Sequence, residues 1–357
     1  MFGGKPERNG YLSEESGPDD PTEQWSVKFE PTFYNSPIVA DGAIYQTSRD
    51  SGTVYGISAE DGSELWTYDI DPGDFPGEPA VADGTVFAGD NVGVVHAIDA
   101  ADGTELWTHD SGTTSLETSC GVAVVDDTVY VGQSYRGDAK GKLLALNVSN
   151  GDVRWEYKDL TGTISAPIVT DGTVYFEDEA LLYALNSDDG SEEWVEDFRS
   201  FMENDTALLQ RPVYHDGALY AGGLKPYDGD GGAAIYAIDA SDGSRLWRTE
   251  VDTETRQPAV DDDSVYAAGA DGRVFSLAQD DGTIEWEVDA GTSKYSPTVA
   301  DDSLYLGGDF DGFVALDPAD GSEQWEYDID ADPGEPVAIV DGTIYASTWR
   351  GDIHAIE

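Results

Sequence analysis

Basic side chains are what this chain has least of. Eighteen lysines and arginines stand against 73 aspartates and glutamates in 357 residues, a formal charge of −55. Lysine is especially sparse, and no basic tract of the kind that nucleic acid or anionic lipid requires is present, which argues against both as partners. The acids do not mark a disordered tail: apolar residues make up 39% of the chain, enough for a globular core, and the carboxylates are spread through loops along its whole length. Such a surface suits concentrated salt, where at about 1 M the Debye length falls to roughly 3 Å and self-repulsion is screened. The one cysteine, Cys120, excludes an intrachain disulfide and a cysteine-based metal cluster. No run of about 18 apolar residues occurs, so no membrane-spanning helix is expected. The first residues, MFGGKPERNGYLSEESGP, lack the apolar centre of a signal peptide. As it stands the sequence reads as a cytoplasmic monomer, or as exported or lipid-anchored if a leader precedes it.

What the chain does have is a repeated hexamer. DGSELW at 61–66 returns as DGTELW at 102–107, NGDVRW at 150–155, DGSEEW at 189–194, DGSRLW at 242–247, DGTIEW at 281–286 and DGSEQW at 320–325. With Trp25, the tryptophans Trp66, Trp107, Trp155, Trp194, Trp247, Trp286 and Trp325 divide residues 25–357 into units of about 42 residues, the period of propeller blades. Each unit reads as a short apolar stretch after a proline (SPIVADG, 36–42), two alternating stretches (TVYFED, 173–178; LLYALN, 181–186), then Asp-Gly and the tryptophan strand. Four β-branched and aromatic runs separated by glycine turns make a four-stranded antiparallel meander. A lone meander cannot bury both faces and must stack on copies of itself, so a large flat side chain at one position of each outer strand can fill the same slot eight times. Trp25 stands in TEQW without Asp-Gly because its blade is split. The last unit, 334–357, holds three strands, and TEQWSVKF (22–29) supplies the fourth, closing the ring and removing both open edges. The expected organisation is an extension over 1–21 followed by a single eight-bladed β-propeller over 22–357.

These residues resemble the pyrroloquinoline-quinone-type repeat family of eight-bladed propellers with tryptophan-docking motifs. The Ala-x-Asp-Gly-x-x-x-Trp form stands at 59–66, 100–107 and 240–247, and with variation at 319–325. The resemblance covers essentially the whole chain. It implies one of two functions. Quinoprotein dehydrogenases hold the quinone over the channel with Ca²⁺ and oxidise alcohols or sugars, whereas BamB-like members scaffold membrane-protein assembly without a cofactor. Two adjacent cysteines accompany the quinone in alcohol-oxidising members, but Cys120 is followed by Gly121. About 42 residues per blade also leave little room for the insertions that carry metal ligands and the catalytic aspartate. The resemblance therefore implies a BamB-like, non-catalytic propeller of haloarchaeal type with no cofactor and a protein or peptide partner. Pyrroloquinoline quinone with Ca²⁺ is the alternative.

Strand direction sorts the loops into two faces. Turns after the first and third strands share one face and hold Asp41, Asp83, Asp171, Asp216 and Asp341 together with Asp61, Asp102, Asp189, Asp242 and Asp320. The opposite face receives Arg49, Arg136, Lys140, Lys142, Lys225 and Arg350 from loops between the second and third strands, and Arg211, Arg256 and Lys294 from the lead-ins to three consecutive first strands. Nine of the 18 cations and the three longest insertions (132–142, 199–211, 222–234) thus map to one face, where a scaffold presents functional loops. Glu78 and Glu335 hold the related lead-ins of blades two and eight, so the channel mouth is expected to grade from basic to acidic and to take an acidic peptide or small anion. Among other candidates, His96 and His354 occupy the third-strand position that Tyr55, Tyr183 and Tyr236 hold elsewhere, so packing explains them better than metal binding. His109 and His215 are expected in loops. Asp228-Gly229-Asp230 and Asp309-Phe310-Asp311 lack the full calcium-loop pattern.

Overall fold

The computed structural model describes residues 11–12, 15–33, 35–48, 50–70, 77–111, 121–134, 141–160, 164–178, 181–198, 209–223, 233–291, 295–300, 303–308, 312–329, 333 and 337–357. They form eight antiparallel blades around a common axis, and no α-helix occurs among them. Blade 1 runs outward through Ile38–Ala40, Ala43–Ser48, Thr53–Ser58 and Glu64–Asp69. Blades 2 to 7 follow at 80–110, 122–160, 168–197, 209–251, 259–289 and 298–327. Blade 8 has inner strands Ala338–Val340, Thr343–Ser347 and Asp352–Ile356, and its outer strand is Glu23–Lys28. Trp25 pairs with Ala355 and Val27 with Ile353, so the two ends of the chain close the ring as expected.

Local chemistry sets each element. Asp-Gly between the first and second strands takes positive φ at both residues, 51° and 76° at Asp41-Gly42 and 50° and 80° at Asp171-Gly172, the conformation of a two-residue hairpin matched to strand twist. Second strands are buried on both sides, every residue of Ala43–Ser48 included, because each blade is sandwiched between neighbours. At blades 5 and 6, for example, Val213, Tyr220, Ile235 and Trp247 pack with Val265, Phe275 and Leu277.

A bulge of one residue precedes every motif tryptophan. In blade 1 Glu64 pairs with Ile57 and Trp66 with Gly56, skipping Leu65; Leu106, Arg154, Glu193, Leu246, Glu285, Gln324 and Gln24 are skipped in the same way. A bulge re-aims the side chains on either side of it. Here the tryptophan turns inward, and the skipped residue faces out, leaving Leu65, Leu106 and Leu246 about half exposed. Opposite the indole the third strand carries only small residues: Gly56, Ala97, Ala145, Ala184, Ala237, Ser276, Ala315 and Ala355.

Each indole reaches the next blade. Trp25, Trp66, Trp107, Trp155, Trp194, Trp247 and Trp286 donate Nε1–H to the carbonyls of Ala59, Ala100, Val148, Ser187, Ala240, Gln279 and Pro318, at 2.6–3.2 Å. Each acceptor begins the next blade's Asp-Gly motif. The glycine of that motif lies against the ring; a Cβ on Gly103 would stand 2.8 Å from Trp66.

Trp325 meets no Asp-Gly hairpin among the described residues, since the third strand of blade 8 pairs with Glu23–Lys28. Its Nε1–H goes to the Pro18 carbonyl at 2.9 Å. Pro18-Asp19-Asp20-Pro21 therefore serves as the eighth turn, and PDDPTEQW (18–25) lines up with PADGSEQW (318–325). No chain reversal is needed there, since Thr22 and Glu357 exchange backbone hydrogen bonds of 2.7 and 3.0 Å; proline can replace the glycine. The segment continues inward across the same seam. The Gly17 N–H donates to the Tyr305 hydroxyl at 3.1 Å, Glu15 accepts from the Asp341 N–H at 2.7 Å, and Tyr11–Leu12 adds in parallel to the innermost strand of blade 7, Thr298–Ala300. The described residues ahead of 22, expected as an extension, thus strap blade 7 to blade 8.

Candidate functional site: the loop face

The two kinds of turn do share a face: the Ala59, Ala100, Ser187 and Ala240 N–H groups at the outer hairpins bond to Gly42, Gly84, Gly172 and Gly217 of the inner ones. On that face Asp61, Asp102, Asp189, Asp242, Asp281 and Asp320 are held below the usual carboxylate range by hydroxyl and backbone hydrogen bonds from the Ser or Thr two residues on. Their ionised form is part of the turn.

The opposite face is built differently. Isolated bridges Phe33–Ser48, Ile164–Asp178, Thr255–Gly269 and Pro333–Thr348 tie the lead-in of a first strand to the end of the second strand in the same blade. A residue near the end of a second strand also meets the lead-in of the next blade. Thr47 donates to the Gly77 carbonyl at 3.0 Å, and Ser347 to the Asn35 carbonyl at 3.1 Å. Blades 2, 3, 5 and 7 have glycine at this position, and a Cβ on Gly132 would stand 2.7 Å from Ile164.

Blade 4 has Glu177 there. Its Oε2 is out of contact with solvent and has no hydrogen-bond partner. Burial pushes the carboxyl up to about 8, against the opposing pull of the Arg211 charge and backbone N–H. Sequence reasoning missed this residue. The available signal was Phe176-Glu177-Asp178 at a strand end where other blades place small residues, as in Ala221-Gly222-Gly223.

Arg211 itself lies within the first strand of blade 5, Leu209–His215, rather than in the loop before it, and is exposed. Arg256, also exposed, leads into blade 6 and places its guanidinium 4.9 Å from the ring centroid of Tyr295, which leads into blade 7. Arg256 thus reaches across the seam to the following blade, whereas Arg211 acts on the preceding blade through its charge and its backbone N–H at Glu177. Arg350 is exposed in the turn between the second and third strands of blade 8, with its N–H on Thr348 Oγ1 at 3.3 Å. Glu78 is half-buried at the lead-in of blade 2, where its carbonyl accepts from Val122 at 3.4 Å. Lys142 is the second residue of the third strand of blade 3, Gly141–Asn147, rather than part of the loop before it; it is half-buried, and burial lowers its pKa. Arg49, Lys294, Glu335, Arg136, Lys140 and Lys225 lie outside the described residues, as do Cys120, both Asp-x-Asp turns and the centres of the three insertions.

The histidines are polar links. His96 Nε2 is 3.3 Å from Asp90, and its Nδ1 is 3.1 Å from the Tyr68 hydroxyl of blade 1. His354 Nδ1 is 2.9 Å from Glu23. His109 falls within the outer strand Glu105–Asp110 rather than a loop, and His215 ends a first strand 3.4 Å from Asp262. Among the described residues no group of three or more His, Cys, Asp or Glu side chains is placed to hold a metal ion. No helix among them is long and apolar enough to cross a membrane.

The architecture recurs in known proteins. The chain is 29% identical over 265 residues to the outer membrane protein assembly factor BamB of Yersinia pestis, a match covering 70% of this chain and 63% of that protein. It spans less than two thirds of the length of the curated relatives it matches. BamB from Moraxella catarrhalis superposes with a TM-score of 0.73 at 18% identity, over 95% of this chain and 98% of that one. The quinohemoprotein alcohol dehydrogenase of Comamonas testosteroni does so with 0.76 at 14% identity, over 100% and 80%. At such identities the superpositions show the fold alone, and that fold serves a cofactor enzyme as well as an assembly factor. The family profile described as outer membrane protein assembly factor BamB matches residues 15–161 and 203–357, leaving out blade 4 with Glu177. On that match, which takes in seven of the eight blades and the closing strand, the chain belongs to the BamB family.

Proposed function

We propose that this propeller is a non-catalytic, monomeric scaffold that binds a protein partner through its loop face, taking an acidic peptide segment or small anion at the channel mouth of blades 5 to 8. The observation that carries this reading is the placement of Arg211 and Arg256. In a chain with 18 cations and 73 acids, Arg211 is exposed within the first strand of blade 5 and Arg256 is exposed at the lead-in of blade 6, and Lys294 follows ahead of blade 7 by sequence. Like charges in such an arc repel unless an anion lies between them. Family membership supports the scaffold role: the relatives are named as assembly factors, and a partner held by a rigid ring suits that task.

The dominant negative charge supports a second part of the proposal, adaptation to concentrated salt, in which the acidic turn face is screened and only short-range contacts discriminate. The partner assay is therefore run in molar KCl. Arg256→Glu with Lys294→Glu should abolish capture of an acidic partner while the melting temperature stays unchanged; retention of every ligand by the double variant would reduce the cluster to surface neutralisation. A quinone-dependent dehydrogenase is the competing reading, favoured by the shared fold with the Comamonas enzyme. Addition of pyrroloquinoline quinone with Ca²⁺ separates the two, since a bound chromophore and dye reduction are expected only of the enzyme.

A further inference from the structure

Three residues from three consecutive blades form a continuous stack on the loop face. Arg256 of blade 6 lies over Tyr295 of blade 7 at 4.9 Å, and the Tyr295 ring lies 5.7 Å from that of Trp349 in blade 8, with the planes at 55°. The middle rung is fixed: Tyr295 is 3% exposed, and its N–H bonds to the Gly307 carbonyl at 3.0 Å. The outer two reach solvent, with Arg256 exposed and Trp349 39% exposed. Trp349 is the one tryptophan outside the repeat register. Its turn is pinned by Thr348 Oγ1, which accepts from the N–H groups of both Arg350 and Asp352 at 3.3 and 3.1 Å, so the ring is presented by a held turn.

An exposed ion pair contributes little in concentrated salt, so a site that works there needs an apolar anchor beside its charge. The Arg256 guanidinium and the Trp349 ring lie 4.9 and 5.7 Å from the Tyr295 ring between them and so at most about 11 Å apart, a span that a carboxylate and a ring can bridge from same-face positions i and i+2 of an extended strand, which are roughly 7 Å apart at the backbone. A rigid aromatic plane that takes a second ring is the usual core of a protein contact surface.

We propose that Arg256, Tyr295 and Trp349 form a docking step for an extended peptide segment carrying a carboxylate and an aromatic side chain two residues apart, the carboxylate on Arg256 and the ring on Trp349. This rests on the loop-face reading above and narrows it to a partner chemistry. The test uses three dye-labelled pentapeptides, acetyl-Gly-Glu-Gly-Phe-Gly-amide and its Phe-to-Ala and Glu-to-Gln versions, titrated by fluorescence polarisation in 1 M KCl. The Glu/Phe peptide should bind at least tenfold more tightly than either control. Trp349→Ala should remove that preference for Phe over Ala, and Trp349→Phe, which keeps a ring against Tyr295, should restore most of it at an unchanged melting temperature. Equal binding of the Phe and Ala peptides to the native protein, or no binding of any, overturns the docking step. If an acidic partner is lost by Arg256→Gln yet is indifferent to Trp349→Ala, the docking step falls while the broader loop-face reading stands.

Discussion

Gly103→Ala isolates the contact on which the ring depends. Gly103 sits at φ 74° in the outer hairpin of blade 2, and Gly42 at φ 76° in an inner hairpin of blade 1. The backbone cost of a Cβ in the left-handed region, about 1–2 kcal/mol, is therefore common to both. Nothing lies within 4 Å of a Cβ on Gly42, whereas on Gly103 it would stand 2.8 Å from Trp66 Cδ2 and Cε3. The indole has little room to retreat, being 7% exposed, folded over Gly56 and bonded to the Ala100 carbonyl at 2.9 Å. Overpacking of this kind costs about 1–3 kcal/mol, and a stretched indole hydrogen bond adds about 0.5–1.5 kcal/mol. Gly103→Ala should thus be about 2–4 kcal/mol more destabilising than Gly42→Ala. Urea unfolding at fixed KCl, followed by tryptophan fluorescence, reads the difference. With a slope of about 3 kcal/mol/M or more for a chain of this size, the midpoints should differ by up to about 1 M. Equal midpoints for the two variants would refute a stabilising role for the glycine–indole contact.

Three other outcomes follow from the geometry. Deleting residues 1–29 removes the outer strand of blade 8 and should give aggregation, whereas deleting 1–17 keeps that strand but loses the Gly17–Tyr305 and Glu15–Asp341 contacts and should only lower the melting temperature; unchanged melting of the longer deletion would exclude closure by this strand. The Glu177 carboxyl is raised from 4.5 to about 8, so the folded state holds the extra proton between those values and stability falls as pH rises through that window. Glu177→Gln should match the native protein near pH 5 and exceed it above pH 8 by at most about 5 kcal/mol, and parallel pH profiles of melting would contradict this. Lowering salt from molar to about 0.05 M lengthens the Debye length from roughly 3 Å to over 10 Å. Circular dichroism should then show loss of compact structure, and a salt-independent melting temperature would count against salt adaptation.

The ring was readable because its information is local and repeated. Asp41-Gly42 and its copies specify hairpins, and the spacing of Trp66, Trp107 and their equivalents specifies blades. Closure was legible from a single unmatched strand. The eighth turn was not, because Pro21 stands where every copy has glycine, and only the pairing of Thr22 with Glu357 shows why no positive φ is needed there. Arg256 could be placed at a lead-in from strand direction alone, whereas Arg211, expected in a lead-in, lies within the first strand of blade 5. Glu177 and the Arg256–Tyr295–Trp349 stack could not be found in this way. Each depends on what the next blade places across the seam, and no pattern within one repeat records that.

Site-specific photo-crosslinking tests the loop-face claim most directly. Benzoylphenylalanine is placed at position 256 on the loop face or at position 102 on the turn face, and the protein is irradiated in a native extract held at molar KCl. A discrete adduct from position 256, absent from position 102 and suppressed by Arg211→Glu, is the expected result. Adducts from position 102 alone, or from neither position, would contradict a binding function on the loop face.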